Sequence, residues 1–146
     1  MIIHIAESDS DINDTYPVMR ELRPHINEQE YLQRIRHQGL DGYQLCFIRE
    51  VQDVVAVAGF RSGDNLAWGH YLYVDDLVVL PEHRSMGYGK ALLDWLREYA
   101  RQQGCEQLHL DSGFQRKDAH RFYEREGMKS EGYHFSEMID LNKEDN

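Results

Sequence analysis

One run restricts the fold of this chain more than any other: Leu77-Val78-Val79-Leu80-Pro81-Glu82-His83-Arg84-Ser85-Met86-Gly87-Tyr88-Gly89-Lys90-Ala91-Leu92-Leu93. An apolar β-like stretch stops at Pro81, which lacks the N–H that a sheet interior needs. A polar turn with glycines at 87 and 89 follows, and a helix-periodic segment then begins. The first N–H groups of a helix have no partner within it. Together with the positive end of the helix dipole they form a cradle for an anion, phosphate above all. Gly87 and Gly89 let the backbone come close and take positive φ. Arg84 and Lys90 add positive charge.

Two common phosphate loops do not match. A P-loop needs glycine where Arg84 stands and Ser or Thr where Ala91 stands. The dinucleotide fingerprint needs its third glycine where Leu92 stands. What remains is Arg-x-x-Gly-x-Gly, from Arg84 to Gly89, between a strand and a helix. An ordinary glycine-rich turn is the competing reading.

The rest of the chain supplies a setting for that loop. Its 146 residues are 41% hydrophobic and 11% aromatic, enough for one globular domain spanning 1–146. No apolar run approaches the roughly 20 residues of a membrane span. The start, Met1-Ile2-Ile3-His4-Ile5, reads as a strand and not as a signal peptide. Cys46 and Cys105 fall in or at predicted strands, as small buried apolar groups rather than a disulfide, so a cytoplasmic location is expected. A net charge of −10 argues against nucleic acid as a partner; it either draws a cationic substrate or simply aids solubility. The eight histidines form no metal-binding spacing with Cys, Asp or Glu, so no metal is expected.

Periodicity predicts a strand over Met1–Glu7 and a helix over Asp9–Leu22, with a kink at Pro17. Asn27 and Glu30 form a capping box for a helix ending near Gly39. Tyr43–Glu50 and Val54–Arg61 read as paired strands, Ser62–Asn65 as a turn, and Leu66–Leu80 as a long strand interrupted at Gly69 or near Asp75-Asp76. Lys90–Gln103 is a helix capped by Gly104, Glu106–Leu110 a strand, and Asp118–Glu126 a helix closed by Gly127. Met128–Leu141 is expected to give one or two final strands. The order implies an α/β (α+β) domain with a mixed sheet covered by helices.

The Arg84–Gly89 loop after Leu-x-Val-x-Pro resembles the pyrophosphate loop of the GNAT (GCN5-related) N-acetyltransferases. A second segment supports this. Ala119-His120-Arg121-Phe122-Tyr123-Glu124-Arg125-Glu126-Gly127-Met128 is similar to the family's Ala-x-x-x-Tyr-x-x-x-Gly-Phe signature, with Met128 in place of Phe. Arg116 stands where the family often has Asn, so the contacts of that Asn do not carry over; Arg116 and Lys117 reach a coenzyme phosphate or are surface charges. The resemblance implies a mostly antiparallel sheet of six to seven strands with about four helices. It also implies an acetyl-CoA donor and a primary amine acceptor, on a small molecule or a protein, attacking directly in a ternary complex. Family members often pair through their terminal strands, so a homodimer is possible.

On that resemblance, the coenzyme site takes in Arg84, Ser85, Met86, Gly87, Tyr88, Gly89 and Lys90, with the backbone N–H groups from Met86 to Lys90 holding the pyrophosphate, and the strand edge at Leu77, Val78 and Val79 pairs with the pantetheine arm. An N–H at Val78 or Val79 meets the oxyanion. A lysine-like amine is neutral in only about one molecule in 2,500 at pH 7, a cost of roughly 4.6 kcal/mol that a base or water chain lowers. Asp75 and Asp76 interrupt an otherwise apolar strand and resemble an acidic pair of polyamine-type family members. Adjacent strand residues face opposite ways, so one of them is expected in the cleft, Asp76 marginally favoured. A strand bulge with hydrogen-bonded acids is the plain alternative, and His134 is another candidate base. Tyr123 matches the tyrosine that donates to the coenzyme sulfur; packing on the sheet is its other reading. Arg23, Tyr31, Trp68, Tyr71, Tyr73, Tyr133 and His134 are possible walls of the acceptor pocket. A non-catalytic acyl-CoA-binding sensor on the same fold is the alternative function.

Overall fold

The computed structural model describes residues 1–142. The chain divides into two compact units, Met1–Leu110 and a second from Asp111 onward. The first unit holds five strands in the order β1-β2-β3-β4-β5. These are β1 (Ile3–Ile5), β2 (Gln44–Glu50), β3 (Asp53–Asn65), β4 (Gly69–Val79) and β5 (Gln107–Leu110). Neighbours are antiparallel except β4 and β5. A parallel pair needs a crossover, and the helix α3 (Tyr88–Gln102) supplies it.

Helices α1 (Asp9–Leu22) and α2 (Glu28–Gly39) precede β2. Ser8 caps α1 through the Asp11 amide, and α1 continues through Pro17. Asn27 and Glu30 form the expected reciprocal capping box on α2. One core face carries Ile12, Met19, Tyr31, Tyr43, Leu45, Phe47 and Val57 of α1, α2 and the sheet. The other carries Cys46, Ile48, Ala56, Ala58, Phe60, Leu92 and Leu96, under α3. Leu45 and Phe47 alternate with Cys46 and Ile48, as the period of two requires. Covering on both sides explains the unbroken apolar run Val54–Phe60 on β3. Both cysteines are free thiols, and burial pushes Cys46 up to about 12. In the second unit, α4 (Lys117–Arg125) carries the signature segment.

Three expectations need correction. Ser62–Asn65 is strand, paired from Ser62↔Leu72 to Asn65↔Gly69. The turn lies at Leu66–Trp68, closed by the Trp68 amide donating to Asn65 Oδ1 at 2.7 Å. Gly63 serves close approach instead: a Cβ there would sit 2.6 Å from the Tyr71 hydroxyl. Met128–Leu141 contains no strand, so the sheet has five strands among the described residues and not six or seven. Alternation makes a strand only where a ladder partner meets its N–H and C=O groups. Tyr133, Phe135, Met138 and Leu141 all stand exposed.

Candidate active site

The glycine loop has the geometry of an anion cradle. A short 3₁₀ turn, Pro81–His83, follows β4. Ser85 (φ 65°) and Gly87 (φ 89°) are both left-handed, and Gly87 is the N-cap of α3. The loop therefore cannot continue the helix backwards, and left-handed residues among right-handed ones are the backbone pattern of anion-binding nests. The amides of Ser85, Met86, Gly87, Tyr88 and Gly89 take no intramolecular partner among the described residues. The Tyr88 ring packs in the core beneath α3, so its contribution to the cradle is its amide. Arg84 reaches back to the Val79 carbonyl at 3.4 Å, and Lys90 Nζ pairs with Asp94 at 3.0 Å. These residues fit a diphosphate held mainly by main chain.

The strand edge expected to bind the pantetheine arm is open. β5 pairs with β4 only from Tyr71 to Val74. Leu77–Val79 pairs with β3 on one side and, among the described residues, with no strand on the other. The Leu80 amide bonds the Val55 carbonyl at 2.9 Å. Antiparallel alternation then turns the Val78 amide toward β3 and the Leu77 and Val79 amides toward the open side. Their side chains pack against the core under α3, so packing and edge pairing coexist at these positions.

The two acids stand at a bulge. Gly59 pairs with Asp76 and Phe60 with Val74, leaving Asp75 as the extra residue of β4. A bulge resets the alternation. Both acids consequently lie on the α1/α2 face and line one cavity of about 350 Å³, against the expectation that only one would. Arg23 Nε donates to Asp76 Oδ1 at 2.8 Å, and the Tyr43 hydroxyl donates to Asp76 Oδ2 at 2.6 Å. Arg23 Nη2 also donates to the Asp75 carbonyl at 2.9 Å. Arg61 Nε donates to Asp75 Oδ2 at 3.0 Å and its Nη2 to Gln38 Oε1 at 2.7 Å. Burial raises the Asp75 pKa above its ordinary value, with Arg61 opposing the shift. Burial and the neighbouring Asp76 hold the Tyr43 hydroxyl well above 10.0, and burial pushes Tyr31 up to about 12. Both phenols are protonated at neutral pH.

Of the expected pocket walls, Arg23, Tyr31 and Tyr73 line this cavity. Trp68 and Tyr71 do not: they pack edge to face, and Trp68 stacks on His109 at 3.5 Å. Sequence reasoning missed Tyr43, Arg34, Gln38 and His25 among the cavity residues, and Arg61 behind Asp75. In the second unit, Tyr123 is half-buried, and burial raises its pKa above 10.0 with Arg116 opposing. Arg116 precedes α4 as its N-cap. Tyr133 is exposed, and His134 is exposed with Nδ1 3.7 Å from Asp111. Among the described residues no cluster of His, Cys, Asp or Glu has a metal-binding arrangement, and no helix is long and apolar enough to cross a membrane.

Residues 9–128 match the model of the acetyltransferase (GNAT) family, so the chain belongs to that family and is an acetyltransferase. It is 36% identical to the uncharacterized N-acetyltransferase YhdJ of Bacillus subtilis (strain 168), over 94% of this chain and 100% of that protein. A segment of 66 residues is 44% identical to the aminoalkylphosphonate N-acetyltransferase of Salmonella typhimurium, covering 45% of this chain and 43% of that one. The fold matches the crystal structure of the ribosomal-protein-alanine N-acetyltransferase from Brucella melitensis, with a TM-score of 0.80, 18% identity, and cover of 95% of this chain and 100% of that one.

Proposed function

We propose that the chain is an acetyl-CoA-dependent N-acetyltransferase acting on a primary amine by direct attack, with both substrates bound together. The observation that carries this reading is the layout of β4 and the loop after it. Two acids at a cavity wall are followed directly by outward amides at Leu77 and Val79, and then by the partnerless amides of Ser85–Gly89.

The thioester supplies the acetyl group. The loop amides and the helix dipole hold the diphosphate, and the Leu77 and Val79 edge orders the arm. The Val79 N–H is the donor aimed at the developing oxyanion. Asp75 accepts the proton of the amine. Asp76 has both oxygens engaged by Arg23 and Tyr43, whereas Arg61 takes only Oδ2 of Asp75, and burial makes Asp75 more basic than an ordinary carboxylate. As the C–N bond forms and the C–S bond breaks, the leaving thiolate takes a hydrogen bond or proton from Tyr123. Support for that role is the signature match and a raised hydroxyl pKa that keeps the donor protonated.

The test is thermal stabilisation by acetyl-CoA, followed by mass spectrometry of an amine panel incubated with protein and donor. Acetylated product supports the reading. Coenzyme binding without transfer to any amine supports the sensor module instead. No stabilisation at millimolar coenzyme sinks both.

A further inference from the structure

The charges around the cavity give its acceptor a sign. Asp75 and Asp76 suggest an acidic hole for a polycation, but each carboxylate is already matched. Arg23 and the Tyr43 hydroxyl hold Asp76, and Arg61 holds Asp75. Arg34 of α2 also lines the cavity, with a half-exposed side chain. It meets Glu30 of its own helix only at 3.9 Å, beyond hydrogen-bond distance. His25, in the link between α1 and α2, adds a second polar nitrogen group to the wall.

The acid floor of the cavity is thus matched by cations, and Arg34, in a long ion pair with Glu30, presents a half-exposed guanidinium with hydrogen-bond donors still to place, although the whole chain has a net charge of −10. That arrangement favours an acceptor with charge at both ends. An amine directed to Asp75 needs no further cation on the molecule; a second ammonium group would meet Arg34 with like charge. A carboxylate or phosphorus oxyanion would gain a charge-assisted, bidentate partner there. A volume of about 350 Å³ is at the small end of ligand pockets, which suits a small molecule rather than a polypeptide segment.

Resting on the acetyl-transfer reading above, we propose that the acceptor is a small primary amine that also bears an anionic group, and that Arg34 selects it. The nitrogen sits toward Asp75 and the anion toward Arg34. Arg34 is the specificity residue, and Arg23 and Arg61 are positioning residues that keep the acid floor neutral.

The test compares four amines of equal chain length: an ω-amino carboxylate, an aminoalkylphosphonate, a neutral alkylamine and a diamine. Binding is measured by calorimetry on coenzyme A-loaded protein, and kcat/KM with acetyl-CoA, for the wild type, Arg34→Gln and Arg34→Glu. A charge-assisted contact predicts that at least one anionic amine exceeds the neutral and dicationic ones by about tenfold or more. Arg34→Gln should narrow that gap, and Arg34→Glu should shift preference toward the diamine. The two anionic arms tell carboxylate from phosphonate. A diamine equal to or better than the anionic amines in the wild type, or a preference unchanged in Arg34→Gln, overturns the proposal while leaving acetyl transfer standing. Tight binding of an anionic amine with no acetylated product overturns the acetyl-transfer reading instead.

Discussion

Gly59 lies opposite Asp76 on β3 and beneath the ring of Tyr43. A Cβ at this position would fall 2.7 Å from Tyr43 Cε2, and nearer still to Cζ and the hydroxyl. Tyr43 has little room to retreat, being 5% exposed with its hydroxyl bonded to Asp76. Gly59→Ala should therefore push the ring aside and break the 2.6 Å hydrogen bond to Asp76. A hydrogen bond to a charged group is worth roughly 1.5–3 kcal/mol, and overpacking a core costs roughly 1–3 kcal/mol. Replacing glycine in a strand returns about 0.5–1 kcal/mol. The net loss is then about 1.5–5.5 kcal/mol. Tyr43→Phe keeps the ring and removes only the hydroxyl, so it should lose about 1.5–3 kcal/mol. Urea unfolding at neutral pH reads both values from the shift in midpoint at constant slope. Both variants should also lower kcat, since Arg23 alone would then hold Asp76. A Gly59→Ala protein within about 0.5 kcal/mol of wild type would refute the close approach, and with it the account of how Asp76 is held.

Gly87→Asp tests the cradle. Aspartate tolerates positive φ better than most residues, so folding should suffer little, whereas coenzyme A affinity by calorimetry should fall about 100-fold or more, as expected if two charge-assisted amide bonds are lost. Asp75→Asn tests the buried acid. Because folding raises its pKa above 3.8, the stability that Asp75 contributes is present in acid and is lost as pH rises through the folded value. Unfolding measured from pH 3 to 7 should therefore show the Asp75→Asn protein gaining on wild type as pH rises; a constant difference would contradict the shift, and a retained acid limb in its rate profile would remove Asp75 as the base. Tyr123→Phe should lower kcat far more than coenzyme affinity, and equal loss of both would mark Tyr123 as packing.

What the sequence disclosed was local. The loop was legible because Pro81, Gly87 and the apolar period of α3 act within one turn of themselves, and the capping box of Asn27 and Glu30 is a contact between residues three apart. The position of the β3–β4 turn was not, since glycine in Ser62–Asn65 has two uses. Only the cross-strand partner, Tyr71 beside Gly63, shows that space rather than a bend required it. The terminal segment misled for the same reason: its residues can form a strand, but a ladder needs a neighbour, which no local pattern supplies.

The acid pair shows where local reading stops and pairing takes over. Two successive acids in a strand cannot both face one cavity unless the period of two is broken. The break is set by register, with Gly59 against Asp76 and Phe60 against Val74. A glycine inside the apolar run of β3, opposite two polar residues of β4, was the available signal for it. Once the bulge is recognised, Arg23, Arg61 and Tyr43 follow as necessities, since two carboxylates on one partly buried face require cations or donors. They come from the C-cap of α1, from β3 and from the residue before β2, remote in sequence from the acids they hold. The same compensation removes the acidic character that the Asp-Asp dipeptide suggests, so the charge the cavity presents to an acceptor is a property of the folded sheet and its helices rather than of two neighbouring residues.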